Sequence, residues 1–210
     1  MSETEPLVIL VGGPPGAGKT TLGRAIAARL GSASMSVDDI VVGAKVLSTE
    51  TSQPELFQMR RAGGHVAYFT EGPVDRLVDD AMKLGQVVWP AVDAIVASHL
   101  DSRVPIVIDW WLLDPVDVAS IDDERVAAVW LHIYPDVLWA RERRNTGWMH
   151  GSSNPERMLA NFMHRSLWSN ELMAAEAARR GLAVIEVSGV ESVHDLVGMV
   201  LDATGEKSAQ

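Results

Sequence analysis

The 210-residue chain has no cysteine, which removes disulfides, thiolate nucleophiles and thiolate zinc sites together and fits a reducing compartment. Lysine is scarce: it occurs at 19, 45, 83 and 207 only, never in the Asn/Thr-Lys-x-Asp pattern that reads guanine. An S-G-G-Q-type signature is also missing, so GTPase switches and transporter ATPases lose ground. Basic residues are the minority, 18 against 28 acidic, and the formal net charge of −10 repels nucleic acid phosphates and anionic lipid headgroups. Neither nucleic acid nor a membrane is expected as a partner. The first long apolar run, Leu7–Val11, is far short of the ~20 residues that cross a bilayer. The start, Met1 to Pro6, carries Glu3 and Glu5 where a secretory signal would be basic, so the expected location is cytoplasmic. The six histidines show no H-E-x-x-H or similar spacing, and none is assigned to a metal.

What is present is enough apolar material for a packed core: 47% hydrophobic residues and a mean hydropathy of +0.08, in a length that suits one domain over residues 1–210. Leu7–Val11 shows no alternation and stops at Gly12-Gly13, the pattern of a parallel strand buried on both faces. Further strands are expected at 33–37, 105–109, 127–133 and 182–187. Helices are expected at 20–30, 39–47, 74–84, 87–101, 136–145, 155–180 and 192–203. Alternating β and α elements predict a P-loop-type α/β fold: a mostly parallel five-stranded sheet with helices on both faces. Residues 48–100 exceed a single crossover and are expected to form a cap on the acceptor side, with an extra strand at Val66–Phe69. Residues 145–154 read as a Gly/Ser/Asn loop, and residues 205–210 as a frayed tail.

The chemistry is carried by Gly13-Pro14-Pro15-Gly16-Ala17-Gly18-Lys19-Thr20, a full G-x-x-x-x-G-K-S/T pattern directly after one expected strand and directly before an expected helix. Glycines let backbone N–H groups turn toward phosphate oxygens, and the following helix presents its positive end to the same anion. Lys19 can reach the β- and γ-phosphates of ATP, and the Thr20 hydroxyl can ligate Mg²⁺. Thr21 is either a second phosphate contact or an ordinary first-turn residue.

Transfer also needs carboxylates and further cations. Asp38, Asp39 and Asp109 fall at the carboxyl ends of expected strands, where an open parallel sheet binds ligands. One of Asp38 and Asp39 can cap the following helix while the other acts near the acceptor hydroxyl. Asp109 is followed by Trp110-Trp111 instead of a water-activating Glu, which favours transfer over hydrolysis and makes Asp109 the candidate to organise Mg²⁺. Trp110 and Trp111 either line an acceptor pocket or belong to the core. Arg141 and Arg144 share a helical face before the 145–154 loop and are candidates to close over phosphates, in a lid spanning about 141–157. Arg60 and Arg61 are either solvated or contacts for an anionic acceptor.

Together the Gly13–Thr20 loop, the Ser36-Val37-Asp38-Asp39 and Ile108-Asp109 strand ends and the Arg141/Arg144 pair resemble the small P-loop kinases of the nucleoside-monophosphate-kinase-like group. That group includes shikimate, gluconate and chloramphenicol phosphotransferase-type members, 2-phosphoglycerate kinase-like proteins and zeta-toxin-type kinases. The resemblance implies an ATP- and Mg²⁺-dependent kinase acting on a hydroxyl of a small molecule, a metabolite or an antibiotic. It also implies a base role for Asp38 or Asp39, phosphate contacts from the lid arginines, and a loop at Ser188-Gly189 bordering adenine. The alternatives are a nucleotide or nucleotide-sugar kinase and a non-catalytic ATP-binding regulator.

Overall fold

The computed structural model describes residues 6–205, so the acidic start at 1–5 and all but the first residue of the tail expected at 205–210 lie outside the described residues. In chain order the elements are β1 (Val8–Gly12), α1 (Lys19–Leu30), β2 (Ala33–Ser36), α2 (Val37–Leu47), α3 (Gln58–Arg61), α4 (His65–Glu71) and α5 (Val74–Ser102). There follow β3 (Ile106–Asp109), α6 (Pro115–Ala119), β4 (Val126–Ile133), α7 (Pro135–Arg144), α8 (Pro155–Arg179), β5 (Ala183–Val187) and α9 (Val193–Ala203). The strands make one sheet in the order β2-β3-β1-β4-β5, and every pairing is parallel.

Alternation along the strands divides the core in two. Val8, Leu10, Ile106, Ile108 and Trp130 point to the face covered by α2, α5 and part of α8. Ile9, Val11, Val107, Val129 and Leu131 point to the face covered by α1 and α9. This explains why β1 shows no polar alternation: both of its faces are dry, and every one of its residues is buried. The register sets Val11 of β1 level with Asp109 of β3, and Asp109 level with Ser36 of β2, so three carboxyl ends open beside the loop after β1.

Two elements differ from the sequence expectation. Val66–Phe69 is part of α4, not a strand. The sheet offers it no neighbour, and Tyr68, Phe69, Leu77, Met149 and Met158 instead form a separate apolar cluster above the sheet. A short run of apolar residues fits a helix as well as a strand, and tertiary packing decides. The two helices expected at 74–84 and 87–101 are one, α5, continuing through Gly85 and Pro90. Leu77, Ala81, Val88, Val92, Val96 and Leu100 keep one buried stripe along its whole length, which outweighs the hydrogen bond lost at Pro90.

Candidate functional site

The loop from Gly13 to Gly18 leaves β1 and enters α1. Gly13, Gly16 and Gly18 take φ values of +133°, +82° and +95°, in the range that favours glycine. At Gly16 a side chain is excluded twice over, because its Cβ would also run into the Glu142 carboxylate and Leu138. Gly18 is the N-cap of α1, and no side chain caps the first amides of that helix, which stay available to an anion. Ala17 N–H donates to the Pro14 carbonyl at 3.2 Å, closing the loop on itself.

Lys19 is only 8% exposed and its Nζ donates to Pro14 O at 2.9 Å. Burial lowers its pKa to about 8, against the pull of Asp109 and Asp38, which favour the charged form. Thr20 Oγ1 donates to Asp109 Oδ2 at 2.9 Å, and Ser36 Oγ donates to the same oxygen at 3.4 Å. Asp109 is 2% exposed, and its Oδ1 is buried without a partner. Burial raises its pKa, partly offset by the Thr20 and Ser36 hydroxyls and by Lys19.

A cleft of about 460 Å³ opens over this floor, lined by Pro15, Gly16, Gly18, Lys19, Thr20, Thr21, Asp38, Trp111 and Arg165. Asp38 is in the first turn of α2, with Oδ1 accepting a hydrogen bond from Trp110 Nε1 at 3.2 Å. The next residue, Asp39, is one helical step round and outside the lining. Thr20 and Asp109 offer oxygen donors only, as Mg²⁺ requires, with the unpartnered Asp109 oxygen close by. Among the described residues no cluster of three or more His, Cys, Asp or Glu could hold a metal by itself. An ion here would therefore share its coordination with nucleotide phosphates, the habit of Mg²⁺.

The remaining expected residues divide. Arg141 reaches from α7 to the loop, its Nη1 donating to Gly16 O at 3.2 Å and Ala17 O at 3.1 Å. Arg144 does not: it is exposed and its Nε donates to Ala140 O within its own helix. Trp110 is not part of the cleft lining: its ring is 1% exposed and packed in the core, and its Nε1 reaches the site through Asp38. Trp111 does line the cleft. Arg60 and Arg61 are exposed at the end of α3, outside the cleft, and Arg60 pairs with Glu50 at 3.1 Å. Ser188 and Gly189 follow β5 and are not part of the cleft lining; both amides and the Ser188 hydroxyl donate to the Glu191 carboxylate. The 145–154 connection is less bare than its glycines and serines suggest. Trp148 packs on Phe69 and Phe162, and Met149 is buried beside them.

Sequence reasoning missed Arg165. It sits inside a helical stretch rich in apolar residues, with no neighbouring Gly, Pro or acid to mark it. In the fold it is 5% exposed, and its guanidinium carbon lies 4.5 Å from the Trp111 ring centre and 4.7 Å from that of Phe69. Burial lowers its pKa to about 10, against the pull of Tyr68 and Asp38.

Comparison with known proteins places the fold. Among solved structures, the chain is similar to a shikimate kinase from Acinetobacter baumannii in complex with shikimate (21% identity, TM-score 0.54, covering 99% of this chain and 97% of that one). It is also similar to a gluconokinase from Sinorhizobium meliloti 1021 (18%, TM-score 0.52, 96% and 93%) and to a sugar kinase from Janibacter sp. HTCC2649 (17%, TM-score 0.56, 97% and 97%). These likenesses show a shared fold, the one the loop and strand ends lead to expect. A search of curated proteins finds no match. Residues 9–157, from β1 through the first turn of α8, match the model of the AAA domain, and this chain belongs to that P-loop family.

Proposed function

We propose that the protein is an ATP- and Mg²⁺-dependent phosphotransferase that moves the γ-phosphoryl group to a hydroxyl of a small molecule. The observation that carries this reading is that Asp38 faces the same cleft as Lys19 and Thr20 and is the one carboxylate in the cleft's lining among the described residues. The kinases among the structural neighbours support it as an analogy of fold.

In this reading the loop amides and the start of α1 hold the phosphates, and Lys19 exchanges the Pro14 carbonyl for phosphate oxygens. Bound through Thr20 with Asp109 behind it, Mg²⁺ would neutralise charge on the β- and γ-phosphate oxygens. Asp38, oriented by Trp110, accepts the acceptor's hydroxyl proton as the oxygen bonds to phosphorus. The bond from phosphorus to the bridging oxygen breaks, and its electron pair leaves with ADP. Arg141 lies over the loop on the α7 side, within reach of the phosphates once it gives up the Gly16 and Ala17 carbonyls.

A ligand-stabilisation screen of hydroxylated metabolites and antibiotics, run with a non-hydrolysable ATP analogue and Mg²⁺, tests the reading when its hits are carried into a transfer assay. Transfer to a hit should vanish in Lys19→Ala while the fold persists, because Lys19 serves phosphate charge and contributes several kcal/mol in the transition state. Near wild-type turnover in that variant would remove the P-loop from the mechanism.

A further inference from the structure

A second cavity, of about 180 Å³, lies where α5, α6 and α8 meet. Its inner side is apolar: Leu112 and Met173 are buried in the core on that face of the sheet, and Trp168 packs against the same core. Its mouth opens to solvent between Met82 and Leu172, which are both exposed. The lining of this cavity and that of the cleft have no residue in common, so an occupant here leaves the phosphate-binding loop free.

The charged part of the wall is of one sign. Asp114, Asp117 and Glu176 line it, and no lysine, arginine or histidine does. Two of the three carboxylates have work within the fold. Asp114 Oδ1 caps α6 by accepting from the Val116 amide at 2.8 Å, and Glu176 pairs with Arg179 and, at 2.8 Å, with Arg180. Asp117 has none: the charges it feels, Asp114 and Asp93, share its sign, and together with partial burial they raise its pKa. A carboxylate held this way is relieved by a cation, and the wall supplies none. The chemistry of the wall says which cation fits. A metal ion needs a cage of ligand atoms, and among the described residues no group of three or more His, Cys, Asp or Glu could hold one. An organic cation uses the apolar inner side as well, and Trp168 adds the aromatic ring that best accommodates positive charge. Size sets the rest, since a dry cavity of about 150 Å³ takes a benzene ring. We propose that this cavity is a ligand site for a small apolar amine, whose ammonium faces Asp117 and Asp114 and whose body, about one ring in size, lies against Leu112, Trp168 and Leu172. Such a site stands whether or not the cleft transfers phosphate.

The test is an NMR titration of the isotope-labelled protein, followed through its tryptophan indole N–H signals, with matched probes. Benzylamine and cyclohexylamine are the apolar amines, benzyl alcohol the neutral counterpart, benzoate the anion, and methylamine a cation without a body. The two apolar amines should shift the Trp168 signal, identified by its loss in Trp168→Phe, and bind about ten- to hundredfold more tightly than benzyl alcohol. Benzoate and methylamine should not bind. Asp117→Asn should bring benzylamine down to the affinity of benzyl alcohol. Gly85→Met should fill the cavity and abolish binding of both: a Cβ there meets Leu112 no closer than 3.7 Å, and methionine suits a helix interior better than glycine. Saturation with Mg²⁺ and a non-hydrolysable ATP analogue should leave benzylamine affinity unchanged. If Asp117→Asn does not fold, the probe series and Gly85→Met carry the test. Benzylamine binding no tighter than benzyl alcohol, a preference that survives in Asp117→Asn, or binding that persists in Gly85→Met would each overturn the proposal. So would competition with the ATP analogue, which would move the amine into the cleft.

Discussion

Asp38 and Asp39 are adjacent in sequence and chemically alike, and only position separates them. Both sit in the first turn of α2, where a negative charge suits the helix dipole, but Asp38 alone lines the cleft and is oriented by Trp110. Asp38→Asn is therefore expected to lower kcat about 10²–10⁴-fold with nucleotide affinity nearly intact, and Asp39→Asn to stay close to wild type. Equal losses in the two variants would mean that neither acts on the acceptor. A second residue-scale prediction concerns stability. His132 of β4 lies between Glu186, 2.9 Å from Nδ1, and Glu171, 3.2 Å from Nε2. Burial opposes its charge, yet the two carboxylates outweigh burial and raise its pKa above 6.5. A raised folded-state pKa means that its stabilisation is fully present below 6.5 and is lost as pH rises through the folded value. Wild type should thus melt above His132→Gln at acid pH and level with it at alkaline pH. The gap should be under about 1 kcal/mol, because the carboxylates are half exposed. A gap independent of pH would contradict the assignment.

At the scale of elements, the sequence reads best where one segment carries its own signal. Leu7–Val11 announces β1 by unbroken hydrophobicity, and the motif marks the loop and the start of α1 because its glycines serve the backbone itself. Asp109 was found for the same reason, as an acid ending a strand. Arg165 was not, since its meaning comes from Trp111 and Phe69, 54 and 96 residues away in sequence, which only the fold assembles. The fate of Val66–Phe69 was hidden likewise, set by a cluster whose partners Met149 and Met158 lie far along the chain. That cluster ties the 145–154 connection to α4 through Trp148, whose backbone carbonyl also contacts His65 at 2.8 Å, while Thr70 and Ser152 share a hydrogen bond at 2.9 Å. The 145–154 connection and α4 should consequently move as one unit. Trp148→Ala is expected to cost about 1–3 kcal/mol in stability and to speed amide exchange in both 145–154 and α4. Faster exchange in the connection alone would show the two to be independent.

For the whole molecule, the parallel sheet brings the ends of β1, β2 and β3 together so that residues 13–20, Asp38 and Asp109 meet, while Trp111 and, from α8, Arg165 complete the cleft lining. A single cleft thus has a phosphate-binding side and, in our reading, an acceptor side. The most direct measurement of that reading is the fate of the terminal phosphate. Incubated with γ-labelled ATP, Mg²⁺ and a mixture of hydroxylated metabolites and antibiotics, the wild-type protein is expected to move label to an organic acceptor. Without acceptor it should release labelled phosphate only slowly, and Lys19→Ala should do neither. Rapid release of labelled inorganic phosphate at a rate indifferent to acceptor would contradict the account and make the protein an ATPase.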